Sequence, residues 1–243
     1  MKLLICLITY DRLEYTRKTL KFLRDSMSDN LDYYLIVSDN ASTDGTQEYI
    51  KGLKHRKIID DYVLNPDNYY PGKACNLGWK KGLETYDATH LMRLDNDMQF
   101  EKDWDKKVAE YFKAIPELGQ LGLDHEAIED PRAEMRKRTI NGLTINEWPG
   151  CVGGPSIITK KIWDIGKRWP ELRWNDERQS AAQEDSAFSK SIMDAGYLVG
   201  HAQEELARTF ANKTNWKDYP QYYLKTMTDR GYSENVDFIK ELS

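Results

Sequence analysis

Ala88-Thr89-His90-Leu91-Met92-Arg93-Leu94-Asp95-Asn96-Asp97-Met98 is the stretch that decides how this chain folds. Residues 88–94 form an apolar run of strand length, and two carboxylates follow it at a spacing of two. Side chains in a strand alternate between faces, so Asp95 and Asp97 point the same way. Open α/β sheets bind ligands outside the carboxyl ends of their strands, which is where this pair stands. Oxygen ligands suit Mg²⁺ or Mn²⁺, ions that keep positions open for substrate phosphates. A lone Asp-x-Asp is as readily a polar turn closing a strand, so the rest of the chain must decide.

Working outward, strand and helix patterns alternate. Strands are expected over residues 3–9, 33–38 and 57–64, and helices over 13–27, 46–53 and 73–84. Leu13, Thr16, Leu20 and Leu23 mark the apolar face of the first helix. Beyond the acidic pair, a helix is expected over 104–115 and a strand over 119–123. Residues 124–141 are polar and lack apolar periodicity, as in a mobile excursion. Short strands follow at 143–145 and 151–152, either side of Trp148-Pro149-Gly150. Residues 156–159 lead into a helix over 160–165, and 168–178 is a Trp-rich irregular stretch. A helix over 181–195 is closed by Gly196, a final strand spans 197–201, and two peripheral helices from 215 on break near Gly231. Such alternation predicts an α/β fold, a mainly parallel twisted sheet flanked by helices, built as one domain over 1–243.

The 243 residues carry a net charge of -5, with 40% hydrophobic and 31% charged positions. That balance fits a globular protein and argues against bulk attraction to nucleic acid or anionic lipid. Cys6, Cys75 and Cys151 are odd in number and scattered, with no metal or disulfide spacing, as expected in a reducing cytoplasm. The apolar opening ends at Thr9-Tyr10-Asp11-Arg12, too short for a membrane span and without a small-residue cleavage site. A buried first strand is the expectation.

The loops at the strand ends carry the chemistry. Thr9, Tyr10 and Arg12 follow the first strand. Asp39, after the second, is placed to accept hydrogen bonds from a nucleobase N–H or a ribose hydroxyl, whereas Asp44 reads as a helix cap. Asn65-Pro66-Asp67-Asn68-Tyr69-Tyr70-Pro71-Gly72-Lys73 ends in a cation opening a helix, a combination suited to phosphate.

Together these segments resemble the family 2 glycosyltransferases, nucleotide-sugar-dependent enzymes with the single-domain GT-A fold, over about residues 3–199. The pieces are residues 8–12, residues 36–46, Asn68 with Gly72, Asn76 and Gly78, then Asp95-Asn96-Asp97, and Glu184-Asp185 at a helix start. The resemblance implies a nucleotide-sugar half over 1–100, an acceptor half over 101–214 and C-terminal helices over 215–243. It implies that Thr9, Tyr10, Arg12, Asp39, Asn68, Lys73 and Asp95 bind the nucleotide sugar. Asp95 and Asp97 are implied to hold Mn²⁺ or Mg²⁺, and Asp185, with Glu184 beside it, to be the general base. Many relatives carry a further metal-binding His beyond the final strand. Here that region reads Glu205-Leu206-Ala207-Arg208, and His201 is the nearest imidazole.

The activity implied is inverting, metal-dependent transfer of a sugar, hexosyltransferase-type, from a nucleoside-diphosphate donor to a hydroxyl. UDP is favoured by analogy. The acceptor is open: a glycan, a polymer, a small molecule or a modified nucleobase. The glycines around Cys151 and Pro155 let backbone approach a ligand, and Trp148, Trp163, Trp169 and Trp174 lie nearby. Arg132, Arg136, Lys137 and Arg138 read as solvated charge, with phosphates of a lipid, a teichoic-type polymer or DNA as the alternative. Two rivals stand beside transfer. A nucleotidyltransferase would carry a Gly-rich basic loop after the first strand, which Thr9-Tyr10-Asp11-Arg12 lacks; a non-catalytic nucleotide-sugar or carbohydrate-binding module would not need Asp185.

Overall fold

A computed structural model describes residues 1–125, 136–147, 152–172, 181–229 and 231–241. Its elements are β1 (Lys2–Thr9), α1 (Leu13–Ser26), β2 (Asp32–Asp39), α2 (Thr46–His55), β3 (Asp61–Leu64), α3 (Tyr70–Leu83), β4 (His90–Asp95) and β5 (Met98–Phe100). There follow α4 (Trp104–Ala114), β6 (Leu118–Gly122), β7 (Arg136–Ile140), β8 (Leu143–Glu147), β9 (Ser156–Thr159) and α5 (Lys160–Asp164). The chain then runs through α6 (Ala181–Met193), β10 (Leu198–Ala202), β11 (Ala207–Thr209), a 3₁₀ turn at Lys213–Asp218, α7 (Pro220–Asp229) and α8 (Ser233–Glu241).

Nine strands form one sheet in the order β3-β2-β1-β4-β9-β6-β10-β8-β7, flanked by helices. The first half is parallel, β3, β2, β1 and β4 being the crossover-linked strands expected from the alternation. The second half is mixed: β9 runs against both β4 and β6, while β6 and β10 are parallel. Two reversals restore direction, so the carboxyl ends of β4, β6 and β10 open on the same edge as those of β1 and β2. That edge holds the site.

Burial on both faces explains the unbroken apolar run of β1. Leu3, Ile5 and Leu7 pack with Leu20, Leu23, Val37, Trp104 and Val108, whereas Leu4 and Cys6 pack on the other face with Ala74, Trp79, Ile158 and Phe188. Helix α3 lies close against that second face. A Cβ at Gly78 would stand 2.3 Å from the Cys6 sulfur, and one at Gly82 2.6 Å from Leu4. A third, smaller cluster joins Trp216, Tyr223, Met227 and Ile239.

Several departures from expectation have local causes. The third strand starts at Asp61 rather than 57, because Lys57 adopts a left-handed φ of 56° inside a turn. Helix α3 starts a turn earlier than expected, with Pro71 in its first turn, where a missing N–H costs nothing. The polar stretch 124–141 ends in a strand: β7 pairs with β8 through Asn141-Gly142, both at positive φ, as a two-residue hairpin requires. Apolar periodicity was no guide there, because β7 is an exposed, charged sheet edge. Val152 lies outside any strand, β5 was too short to show a pattern, and β11 follows the strand expected to be last. Among the described residues no helix is long and apolar enough to cross a membrane.

Candidate active site

Strand β4 ends at Asp95, and the turn Asn96-Asp97 leads directly into β5. Neighbours fix this turn from three sides. The Met98 N–H donates to Thr19 Oγ1 at 3.1 Å, the Asn96 amide to the Asp11 carbonyl at 3.2 Å and Thr16 Oγ1 at 3.1 Å, and the Phe210 N–H to the Asp97 carbonyl at 2.9 Å. Arg12 binds the Asp97 carboxylate at 2.9 Å and the Asn96 side-chain oxygen at 2.6 Å. Burial pushes the Asp97 carboxyl up, against the opposing pull of Arg12, and nearby Asp95 adds to the rise.

Two residues earlier, Arg93 gathers three carboxylates. Its Nε lies 3.5 Å from Asp95, and its Nη1 lies 3.2 Å from Glu184 and 3.0 Å from Asp185. The guanidinium stands 4.4 Å from the centre of the Trp169 ring, itself stacked on Phe188. Burial opposes the charge on Arg93, but Asp95, Asp185 and Glu184 outweigh it and raise its pKa. The segment bearing Trp169 is tied to α3 by Asn76, which donates to the Trp169 carbonyl and accepts from its N–H.

Glycines make room around this cluster. A Cβ at Gly72 would fall 2.7 Å from Glu184, one at Gly153 2.8 Å from Asp185, and one at Gly154 3.0 Å from Asp95. Glu184 is fully buried, and burial pushes its carboxyl up to about 7 in spite of Arg93, with Asp185 adding to the rise. A cleft of about 250 Å³ opens beyond the ends of β1 and β2. Tyr10, Asn40, Ala41, Asp67, Asn68 and Tyr70 line one side, and Lys225 and Asp229 of α7 the other. Lys225 donates to the Tyr10 hydroxyl at 2.7 Å.

A sheet with a carboxylate pair at the tip of β4, beside a cleft at the carboxyl edge, can be compared with known proteins. The model of glycosyl transferase family 2 matches residues 4–162, well over half of the chain. The chain belongs to glycosyl transferase family 2. Over 50 residues it is 44% identical to abequosyltransferase RfbV of Salmonella typhimurium, a match covering 21% of this chain and 15% of that protein. S. aureus TarS 1-349 in complex with UDP superimposes with a TM-score of 0.63 at 16% identity, over 100% of this chain and 70% of that one. The longer TarS crystal structure matches with a TM-score of 0.62 at 16% identity over 94% of this chain, which spans only 39% of it. Mannosyltransferase PcManGT from Pyrobaculum calidifontis, in complex with GDP-Man and Mn²⁺, gives 0.63 at 13% identity, over 99% and 73% of the two chains. These likenesses carry the fold.

In this family 2 chain the expected site residues separate into groups. Asp95, Glu184 and Asp185 meet at Arg93, while Tyr10 and Asn68 line the cleft. Thr9 and Asp39 are fully buried behind it: Asp39 accepts from Thr9, from the Ser42 hydroxyl and N–H, and from Gln47. These bonds shape the loop after β2. Arg12 is likewise turned onto Asp97, not into the cleft. Lys73 pairs with Glu171 at 3.3 Å and lies 4.3 Å from the Tyr69 ring centre; among the described residues the cleft is lined by Lys225 and not by Lys73. Asp44 precedes the capping position, held by Gly45, and accepts from both Leu13 and Thr46. Glu184 is buried, and its carboxylate shares Arg93 Nη1 with Asp185. Trp169 is core, and Trp163 is half-buried against Trp79 and Arg168. Arg132, Trp148, Gly150, Cys151 and Trp174 lie outside the described residues.

His201 does not join the acidic pair. It is fully buried on β10, bonded to the Asp124 carbonyl at 2.9 Å, and β10 is three strands from β4, about 14 Å at normal spacing. Among the described residues no three His, Cys, Asp or Glu side chains are grouped to hold a metal ion. Two carboxylates still fit Mg²⁺ or Mn²⁺, because substrate phosphates and water complete such shells. Arg93, Asn40, Asp67, Lys225 and Asp229 were not singled out in the sequence. Arg93 carries a signal as a charge inside an apolar strand, and Asn40 and Asp67 lie within the loop segments named there.

Proposed function

We propose that this chain is an inverting, divalent-metal-dependent glycosyltransferase moving a sugar from a nucleoside-diphosphate donor to a hydroxyl acceptor. The observation that carries the proposal is the Arg93 cluster. One guanidinium touches Asp95, at the donor side, and Asp185, the candidate base, so both ends of a displacement lie beside it. Support for the donor class comes from solved relatives bound to UDP, UDP-GlcNAc and GDP-Man. Support for a cation comes from the Mn²⁺ of the mannosyltransferase.

Each residue then has a task. Tyr10, Asn40 and Asn68 hold the nucleoside in the cleft, and Lys225 brings positive charge to its wall. Asp95 and Asp97 would hold the divalent ion, which supplies charge to offset the departing diphosphate. Asp185 takes the proton of the acceptor hydroxyl as that oxygen attacks the anomeric carbon, and one displacement inverts the configuration. Arg93 orients Asp185, and Glu184 stays behind it. Because α7 lines the cleft, residues 215–243 are assigned to the donor half. UDP remains the favoured donor nucleotide. Asp67 and Asp229 favour GDP as a second reading, because carboxylates match the adjacent N–H donors of guanine. The acceptor is proposed only as a hydroxyl compound.

The test is a thermal-shift screen of UDP- and GDP-sugars with Mn²⁺ and with chelator, followed by product analysis. One nucleotide sugar should stabilise the protein only with the ion, and nucleoside diphosphate should be released. Release of sugar 1-phosphate in place of nucleoside diphosphate would indicate nucleotidyl transfer, and donor binding without turnover against any acceptor would indicate a binding module.

A further inference from the structure

Arg12 lies in the turn between β1 and α1 at φ 58°, a left-handed conformation that costs a non-glycine residue about 1 kcal/mol or more. Asp11 before it is also left-handed, at φ 48°. Two consecutive residues in this region turn the Arg12 side chain back toward the tip of β4, where it is buried. Its Nη2 meets Asn96 at 2.6 Å, and its Nη1 meets Asp97 at 2.9 Å and the Tyr223 hydroxyl at 3.1 Å. The Tyr222 ring centre is 4.4 Å from the guanidinium carbon. Burial opposes the charge on Arg12, but Tyr222, Asp97 and Tyr223 retain it. Tyr222 and Tyr223 belong to α7, and Tyr223 stacks on Trp216 at 5.4 Å within the C-terminal cluster. The contact therefore spans 211 residues of sequence, from the turn after β1 to a C-terminal helix.

We propose that Arg12 is a positioning residue for Asp97, and that α7 sets it through Tyr222 and Tyr223. Two separate nitrogens of one rigid fork grip Asn96 and Asp97, which fixes the rotation of the turn as well as neutralising its carboxylate. A lysine ammonium is a point charge and holds one such partner without fixing the other. The Tyr223 hydroxyl is the third point on the guanidinium, and the Tyr222 ring blocks its remaining swing. The C-terminal helices thereby become part of the site for a cation and diphosphate. This rests on Asp97 being a cation ligand, as proposed above.

Full-length wild type, Arg12→Lys, Tyr223→Phe, the double variant and Asp97→Asn are titrated with UDP and with GDP, in Mn²⁺ and in chelator. Calorimetry gives nucleotide affinity, and the electron spin resonance of Mn²⁺ reports the bound ion directly. Arg12→Lys should reduce the Mn²⁺-dependent gain in nucleotide affinity at least about tenfold, while affinity in chelator stays within about threefold of wild type. Tyr223→Phe keeps the ring and its stack on Trp216 and should reduce the gain about threefold. Because it acts through Arg12, it should add nothing in the Arg12→Lys background. Should Arg12→Lys prove poorly folded by circular dichroism, Tyr223→Phe alone decides. An undiminished gain in both single variants, or fully additive losses, overturns the proposal. If Asp97→Asn abolishes the gain while these variants keep it, only the role of Arg12 and α7 falls. If Asp97→Asn keeps the full gain, or wild type has none, the cation reading of Asp97 fails and this inference with it.

Discussion

Glu184 has no exposed surface, and a buried carboxyl resists ionisation even beside an arginine. Its folded-state value of about 7 stands above the ordinary 4.5, so between those values the folded protein binds the proton more tightly than the unfolded chain. The stability this contributes is complete below about 4.5 and is lost as pH rises through about 7, a change of about 3 kcal/mol at most. In Glu184→Gln that loss should vanish, so the variant should gain on wild type as pH rises from 5 to 8 in urea melts run with chelator. Removing the partner has a different cost. Arg93→Met leaves Asp95, Glu184 and Asp185 facing each other without a cation, and about 3–5 kcal/mol of stability should be lost in the same melts at neutral pH. Both roles were hard to see in one dimension. Arg93 is a charge in an apolar run, but two of its three carboxylate partners, Glu184 and Asp185, lie 91 and 92 residues away. The four donors that Asp39 meets, two of them at Thr9 and Gln47, are assembled only by the fold and could not be read from its place after the second strand.

Elements were legible wherever burial imposed a period. Helices α1, α2 and α4 and strands β1, β2 and β4 came out within a few residues of expectation, because each buries a continuous apolar face. β7 and β5 did not, one being an exposed charged edge and the other three residues long. The glycines of α3 and α2 separate packing from propensity. Gly78→Ala places a methyl against the Cys6 sulfur, and overpacking of this kind should cost about 1–3 kcal/mol in a thermal or denaturant melt. Gly52, inside α2, faces open space, with no neighbouring group within 4 Å of where a methyl would stand, so Gly52→Ala should instead stabilise by about 0.5–1 kcal/mol. Equal effects from the two substitutions would mean that α3 does not lie as close to β1 as the geometry requires.

On the scale of the whole molecule, the parallel half of the sheet supplies the cleft and the acidic turn, and α6 from the other half supplies Asp185. The motif order in the sequence conveyed that division, since each piece follows its own strand. What it did not convey was closure: Arg93 joins the halves, and α7 returns from the far end of the chain to wall the cleft. The proposed division of labour is tested most directly at Asp185. Its carboxylate lies against Gly153 and Arg93, away from Tyr10, Asn68 and Lys225 in the cleft. Asp185→Asn keeps the size and a hydrogen-bonding oxygen, so donor affinity measured by calorimetry should remain near wild type. Proton removal from the acceptor should fail, and transfer measured on the same preparation should fall by about 10² to 10⁴. A variant that transfers normally would move the base elsewhere. Loss of donor binding together with transfer would make Asp185 a support of the donor site through Arg93, and retention of anomeric configuration in the wild-type product would contradict a single displacement at this residue.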